Sequence, residues 1–130
     1  MKPEFTDCPF CKPNIDREPI LEYAITYSMY DKFPVTRGHT LIIPKRHCSN
    51  YFELTNEEQI SCWHMVNEVK NILTEKYHPN GFNIGINANE AAGQTIPHVH
   101  IHLIPRYVGD IIEPEGGIRG VIPDKKKYRK

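Results

Sequence analysis

The sequence predicts an α+β fold, in which an antiparallel β-sheet of about five strands carries one long helix on one face. Two observations predict this class. Short segments with β-strand character occur early and late in the chain, and a single long segment between them has helical periodicity. The order along the chain is therefore strands, one helix and two more strands.

Four segments have strand character. Between Ile20 and Phe33, apolar and aromatic side chains occupy every second position, which predicts strands with one buried face, paired as a hairpin or bent by a bulge. A short apolar strand is predicted from Gly38 to Pro44, because glycine and proline bound it. Two later strands are predicted, from Phe82 to Asn87 and from His98 to Pro105.

The helix is predicted from Thr55 to Tyr77. Thr55 and Glu58 form a capping box, in which each side chain satisfies the backbone amide of the other residue. The sequence Pro79-Asn80-Gly81 ends the helix. Apolar side chains at helical spacing predict a stripe that faces the sheet. These residues are Ile60, Trp63, Val66, Val69, Ile72 and Leu73. We expect Cys62 and His64, beside the stripe, to be packed or partly exposed, and His78 to lie at the helix end.

Length and charge limit the possible functions. A chain of 130 residues predicts one domain, which we divide into residues 1–108 and a basic C-terminal extension, 109–130. Sixteen basic and sixteen acidic side chains cancel, so no overall charge favours nucleic acid or anionic membranes. The N-terminal residues show no apolar run typical of a secretory signal, and no stretch is long enough to span a membrane. We therefore expect a cytoplasmic protein with reduced cysteines.

Three histidines share one face of the last predicted strand. His98, His100 and His102 occupy alternate positions, so their imidazoles point to one side of the sheet, while the apolar residues between them face the core. An exposed polar face would rarely contain three histidines. Two functional interpretations remain open from the residues alone: a metal tripod, or imidazoles that act directly on a substrate.

The loop before this strand is polar and composed of small residues. It runs from Asn87 to Thr95 and includes Gly93 and Gln94. Gly93 permits close backbone approach, and the loop amides with the Thr95 hydroxyl can form an anion-binding nest. Joined directly to the histidine strand, the loop predicts a cradle for a phosphate group or an oxyanion.

Cys8 and Cys11 form a C-x-x-C motif near the N-terminus. The motif is typical of half a metal site, a redox pair or two buried thiols. No βαβ pattern of the thioredoxin type surrounds it, so the redox interpretation is the weaker one.

Together these motifs resemble the histidine triad (HIT) family. The resemblance spans about residues 5–107 and rests on three segments. One is the triad strand from His98 to Ile104 with its preceding loop, and another is the segment from Gly38 to His47. Cys8-x-x-Cys11 is similar to the zinc-bearing members of the family.

The resemblance implies a function for each site residue. His100 would be the nucleophile that forms a nucleotidyl-histidine, and His102 would contact the phosphate near the leaving group. His39 would support the site from an adjacent strand, a role close to that of a buried, hydrogen-bonded imidazole. The remaining predicted residues bind substrate. They are Asp31, at the ribose and base edge, with Asn87, Gly93, Gln94 and Thr95 around the phosphate. No catalytic metal is implied.

The resemblance also implies a structural zinc ion. Its ligands would be Cys8, Cys11, His47 and His98, with Cys48 as a competing ligand. The resemblance implies a nucleotide hydrolase or nucleotidyl transferase that acts at the α-phosphate of dinucleoside polyphosphates, such as diadenosine tetraphosphate, or of nucleoside phosphoramidates. The alternative is a nucleotide sensor or scaffold with little turnover.

Two further expectations concern assembly and the C-terminal extension. The family resemblance implies a homodimer. The extension is either a solvated tail or an arm folded over the site, where by resemblance Arg119 would reach a phosphate.

Overall fold

The computed structural model describes residues 7–11 and 14–128. It contains a five-stranded sheet in the order β1-β2-β3-β5-β4, in which every neighbouring pair is antiparallel. The strands are β1 (Leu21–Glu22), β2 (Thr26–Tyr30), β3 (Thr40–Pro44), β4 (Gly81–Ile86) and β5 (Ile101–Arg106), and helix α1 spans Asn56–Tyr77. The predicted α+β class is confirmed. The N-terminal residues 1–6, on which the expectation about a signal segment rests, lie outside the described residues, as do the last two residues of the extension.

β5 lies between β3 and β4 and pairs with both. Its His102 is paired with Leu41 of β3 and with Gly85 of β4. All five residues of β3 are buried. This arrangement brings His39, which immediately precedes β3, beside the end of the triad although 63 residues separate it from His102.

The predicted capping box is present at the start of α1. The Thr55 amide donates to Glu58 Oε1 at 2.9 Å, and the Glu58 amide donates to Thr55 Oγ1 at 3.1 Å. Arg46 donates two further bonds to the Glu58 carboxylate, which therefore ties the helix to the end of β3. These bonds to Arg46 lower the pKa of Glu58. The helix ends at His78, which is in the left-handed conformation with φ of 52°.

The buried stripe of α1 differs from the predicted one. Val66, Val69 and Leu73 are buried as predicted, but Ile60 is 69% exposed and Trp63 is 38% exposed. Cys62 and Met65 occupy the buried positions instead, with no exposed surface. The prediction was made on apolar character. The buried face instead follows helical spacing, because steps of three or four residues back from Val69 reach positions 66 and 65 and then 62. Trp63 lies at the edge of this face, where its indole N–H donates to the Tyr51 hydroxyl at 3.0 Å.

The last strand also begins later than predicted, at Ile101 instead of His98. The alternation of buried and less buried side chains nevertheless extends back to Val99, which is 1% exposed. The ladder with β3 stops at Ile101 because the chain before it approaches another segment, and the Val99 amide donates to the Cys48 carbonyl at 2.8 Å. His98 and His100 therefore lie in an extended lead into β5.

The C-terminal extension folds beside β4. It contains 3₁₀ turns at Gly117–Val121 and Pro123–Lys125, the first of which packs against the strand. The Arg119 guanidinium donates to the carbonyls of Lys125 and Lys126. In this structure the Arg119 side chain holds the end of the extension together, and its contact with a phosphate stays a prediction. In the described part of the chain, no helix is both long and apolar enough to cross a membrane.

We expect Thr55→Ala to lower the free energy of unfolding by about 1 kcal/mol, because the Glu58 amide loses its acceptor. Thr74→Ala is the matched control, since Thr74 lies inside the same helix and its hydroxyl bonds only to the Lys70 carbonyl. Its stability should change by a few tenths of a kcal/mol. Urea unfolding followed by circular dichroism measures both, and equal losses would contradict the role of the cap.

Candidate functional site

The face of the sheet opposite α1 contains a cavity of about 470 Å³. It lies between the N-terminal segment, the turn after β2, the loop before β5 and the triad. Most of the predicted site residues line it. They are Asp31, Asn87, Gly93, Thr95, His100 and His102. The structure thus brings together the N-terminal segment, the turn after β2 and the continuous stretch of residues 87–102.

A hydrogen bond determines the tautomer of His100. Its Nδ1 lies 2.8 Å from the backbone carbonyl oxygen of His98. Because a carbonyl only accepts, the proton is on Nδ1, and Nε2 retains a lone pair. Burial lowers the pKa of His100, although the bond to the carbonyl and the charge of Asp31 oppose this shift. His100 therefore offers a neutral imidazole with an unprotonated Nε2 at neutral pH.

His102 has the opposite tautomer. The Val35 amide donates to His39 Nδ1 at 3.1 Å, so the proton of His39 is on Nε2. His39 Nε2 lies 3.0 Å from His102 Nδ1 and donates a hydrogen bond to it. Because His102 Nδ1 accepts this bond, the proton of the His102 ring is on its own Nε2. Burial and the neighbouring His100 and His39 lower the pKa of His102 to about 4. His102 is thus a neutral N–H donor beside His100, with their ring centroids 5.1 Å apart.

Asp31 has contacts that the sequence did not reveal. Its Oδ1 accepts from the Phe33 amide at 2.9 Å, and its Oδ2 lies 3.3 Å from His39 Nε2. The carboxylate therefore orders the turn after β2 and lies beside the His39–His102 pair while lining the cavity. The contact between Asp31 and His39 depends on the antiparallel pairing of β2 with β3, since the Asp31 amide donates to the His39 carbonyl.

Asp31, His39 and His102 also place three potential metal-ligand atoms within 4.8 Å of one another. The hydrogen bonds oppose metal binding by this group. A metal on His39 Nε2 would require the His39 proton to move to Nδ1, where it would face the Val35 amide proton. The arrangement instead favours a hydrogen bond from His39 Nε2 to His102 Nδ1.

The loop before β5 does not form the predicted nest of free amides. Gly93 has φ of 98°, and its amide donates to the Glu90 carbonyl at 2.9 Å. The Gln94 amide donates to the Asn89 carbonyl, and the Gln94 side chain bonds to the backbone of Asn89 and Ser49. Both amides thus donate within the loop, the Gly93 amide in a 3₁₀ turn and the Gln94 amide to a carbonyl five residues earlier, and their contact with a phosphate stays a prediction. Thr95 and Asn87 do line the cavity.

Cys8, Cys11, His47 and His98 form a second group behind the cavity. Their ligand atoms all lie within 4.8 Å of one another. His98 Nδ1 is 3.3 Å from Cys8 Sγ and 3.5 Å from Cys11 Sγ, and His47 Nδ1 is 3.2 Å from Cys11 Sγ. A tetrahedral zinc ion would separate sulfur and nitrogen ligands by about 3.6 Å. These four residues can therefore bind a metal ion, as predicted.

The surrounding hydrogen bonds fit a metal site. His98 Nε2 donates to the Pro44 carbonyl at 2.7 Å, so Nδ1 directs its lone pair toward the two sulfurs. Cys48 lies outside the group, because its Sγ contacts the Asn50 carbonyl at 3.3 Å. The competing ligand considered from the sequence is therefore not part of this geometry.

The fold and the three aligned histidines together define a class of protein, and the comparisons place the chain within that class. Residues 12–109 match the family model described as HIT domain, and the chain belongs to this family.

Three similar proteins illustrate the relationship. "Protein hit" of Bacillus subtilis is 36% identical over 104 residues, which cover 78% of this chain and 72% of that protein. The bis(5'-nucleosyl)-tetraphosphatase [asymmetrical] of Schizosaccharomyces pombe is 38% identical over 80 residues, or 62% of this chain and 44% of that protein. The structure of a Zn-bound histidine triad family protein from Mycobacterium smegmatis is 34% identical in sequence and has a TM-score of 0.68. The match covers 73% of this chain and 69% of the Mycobacterium smegmatis chain.

We expect the purified chain to bind one Zn²⁺ or Co²⁺ ion, and Cys8→Ser to lower the bound metal by at least about tenfold, because one of two thiolates is lost. Cys48→Ser is the control, because the serine hydroxyl can donate to the Asn50 carbonyl as the thiol does and the side chain at this position lies outside the metal-binding group. Elemental analysis after gel filtration measures the metal content. Loss of metal from both variants, or from neither, would contradict the assignment.

Proposed function

We propose that the chain is a hydrolase that acts at the α-phosphate of dinucleoside polyphosphates, such as diadenosine tetraphosphate, or of nucleoside phosphoramidates. The reaction would proceed through a nucleotidyl-histidine at His100. One observation carries this proposal: His100 and His102 lie side by side in one cavity, and one offers a lone pair while the other offers an N–H group. A nucleophile beside a hydrogen-bond donor for the leaving group suits cleavage of a phosphoric anhydride.

In the first step, the lone pair of His100 Nε2 attacks the α-phosphorus. The Nε2–P bond forms and the bond from phosphorus to the leaving-group oxygen or nitrogen breaks. A leaving oxygen departs with the electron pair of that bond and accepts a hydrogen bond from His102 Nε2–H, whereas a leaving nitrogen takes a proton from solvent. The imidazole of His100 becomes positive as it is substituted, and the His98 carbonyl, which already accepts its Nδ1 proton, stabilises this charge.

In the second step, water replaces the imidazole. Water attacks the phosphorus and loses a proton to solvent, the Nε2–P bond breaks, and a nucleoside monophosphate is released. The electron pair of that bond returns to His100 Nε2, so His100 regains its starting tautomer, and His102 keeps its own tautomer throughout. The hydrogen bond from His39 keeps Nδ1 of His102 occupied, so Nε2–H is the group that is available to the leaving group.

The remaining cavity residues suit a nucleotide. A volume of about 470 Å³ is within the range of small-ligand sites. Thr95 and Asn87 supply a hydroxyl and an amide group for the phosphate oxygens, and Asp31 supplies a carboxylate that can accept from ribose hydroxyls. The Schizosaccharomyces pombe relative is a bis(5'-nucleosyl)-tetraphosphatase by name, which supports dinucleoside polyphosphates as the substrate class.

We also propose that the metal bound by Cys8, Cys11, His47 and His98 is a structural zinc ion. Four protein ligands close its coordination sphere, so the ion supplies a cross-link between the N-terminal segment and the sheet. The Zn-bound Mycobacterium smegmatis structure supports this choice of metal. A cytoplasmic homodimer remains our proposal for location and assembly, on the family resemblance.

A nucleotide sensor with little turnover is the second candidate function. The loop before β5 favours it, because the Gly93 and Gln94 amides donate within the loop and leave fewer donors for charge that develops on the phosphate. A sensor would retain the cavity and the nucleotide affinity. It would lack the rate that a hydrolase requires.

We expect His100→Ala to lower the hydrolysis of diadenosine tetraphosphate by at least about a thousandfold, since the attacking atom is lost. Mass spectrometry after a quench without acid should show wild-type protein with one added nucleotide, and this adduct should be absent from the variant. His64→Ala is the control, because its side chain is 67% exposed on α1, away from the cavity. Hydrolysis by His100→Ala at the wild-type rate would rule out the covalent route.

A panel of nucleotides separates the two candidate functions. We expect the wild-type chain to bind diadenosine tetraphosphate with a micromolar Kd and to convert it at a kcat of at least about 0.1 per second. Calorimetry with His100→Ala measures the affinity without turnover, and chromatography of the wild-type reaction measures the products. Binding to the wild type with turnover no faster than that of His100→Ala would favour the sensor.

A further inference from the structure

Phe10 connects the metal-binding group to the cavity. In the sequence it lies between the two cysteine ligands, Cys8 and Cys11. Its side chain is only 4% exposed, yet it lines the cavity together with His100. The chain on either side of Phe10 is therefore held by the metal-binding group, while its ring faces the predicted nucleophile.

The Phe10 ring packs edge-on against two triad histidines. Its centroid is 5.1 Å from that of His100, with an interplanar angle of 62°, and 6.0 Å from that of His98, with an angle of 88°. These are favourable geometries for aromatic pairs. On the backbone side, the Tyr27 hydroxyl donates to the Phe10 carbonyl at 2.7 Å, which fixes Phe10 to β2.

His98 makes a second connection between the same two places. Its Nδ1 faces the cysteine sulfurs, and its backbone carbonyl accepts the Nδ1 proton of His100. A single hydrogen bond holds one atom of the His100 ring but does not define the plane of the ring. Ring contacts with Phe10 and with His102 supply this second constraint.

We propose that Phe10 is a positioning residue for His100, through which the metal-binding group sets the orientation of the nucleophilic imidazole. The proposal rests on the proposed function only for its catalytic consequence. Phe10 touches neither the phosphate nor the proton that moves in the two steps above. It restricts the rotation of His100, so that Nε2 stays aligned with the α-phosphorus.

The test replaces Phe10 by leucine, which keeps an apolar side chain but removes the ring edge. We expect Phe10→Leu to retain the metal and to lower kcat by about 10- to 100-fold with little change in KM, because misaligned nucleophiles lose rate more than affinity. Phe82→Leu is the matched control, since Phe82 packs on the core beside α1 and does not line the cavity. Its kcat should stay within about twofold of wild type.

A second readout needs no substrate. Nitrogen-15 spectra of the imidazoles should show a single protonated Nδ1 for His100 in the wild-type, metal-loaded chain. We expect Phe10→Leu to broaden this signal or to mix the two tautomers, whereas Phe82→Leu leaves it unchanged. If His100→Ala shows that the proposed function is wrong, this spectrum still tests the positioning of the ring.

Tyr27→Phe keeps the test decisive if Phe10→Leu does not fold. It removes only the hydroxyl that holds the Phe10 carbonyl, and we expect a smaller effect in the same direction on kcat and on the His100 signal. A sharp wild-type His100 signal in the folded variants would overturn the proposal. A fall in kcat that the Phe82 control reproduces would overturn it as well.

Discussion

The hydrogen bonds of His98 are the constraint on which the rest of the site depends. Its Nε2–H is donated to the Pro44 carbonyl at the end of β3, which leaves Nδ1 for the cysteine sulfurs. Its backbone carbonyl then accepts from His100 Nδ1 and leaves Nε2 of that ring unprotonated. His98 is fully buried and lies between the metal-binding group and the His100 imidazole. Its hydrogen bonds determine that His98 directs Nδ1 at the cysteine sulfurs and that His100 keeps Nε2 unprotonated.

The two kinds of site share one extended segment, β5 and the residues that lead into it, because side chains and carbonyls along this segment bind different partners. The three triad imidazoles lie on the face away from α1, but only His100 and His102 reach the cavity. Their opposite tautomers come from different acceptors and donors: a backbone carbonyl for His100, and the His39 imidazole for His102. A cavity built in this way needs no net charge on the protein, since neutral groups with fixed protons supply its polarity.

Local features were predictable where a few neighbouring residues determine them. The Thr55 cap and the alternation in β5 depend on short-range geometry, and both are present. The buried stripe of α1 was less predictable, because hydrophobicity alone favoured Ile60 and Trp63 over the less apolar Cys62, which lies on the buried face. The use of the Gly93 and Gln94 amides was not predictable, since a polar loop of small residues fits both a free nest and a closed 3₁₀ turn.

The sequence by itself determined the fold class, the position of the helix and the residue types of both groups, because strand alternation, capping and ligand spacing are local properties. Only the tertiary structure decided which atoms meet. The pairing of β2 with β3 places Asp31 beside His39, and the fold of the N-terminal segment places Phe10 against His100. Proton positions on two buried and two half-buried imidazoles follow from such contacts, each of which joins residues distant in the chain or depends on the conformation of the backbone.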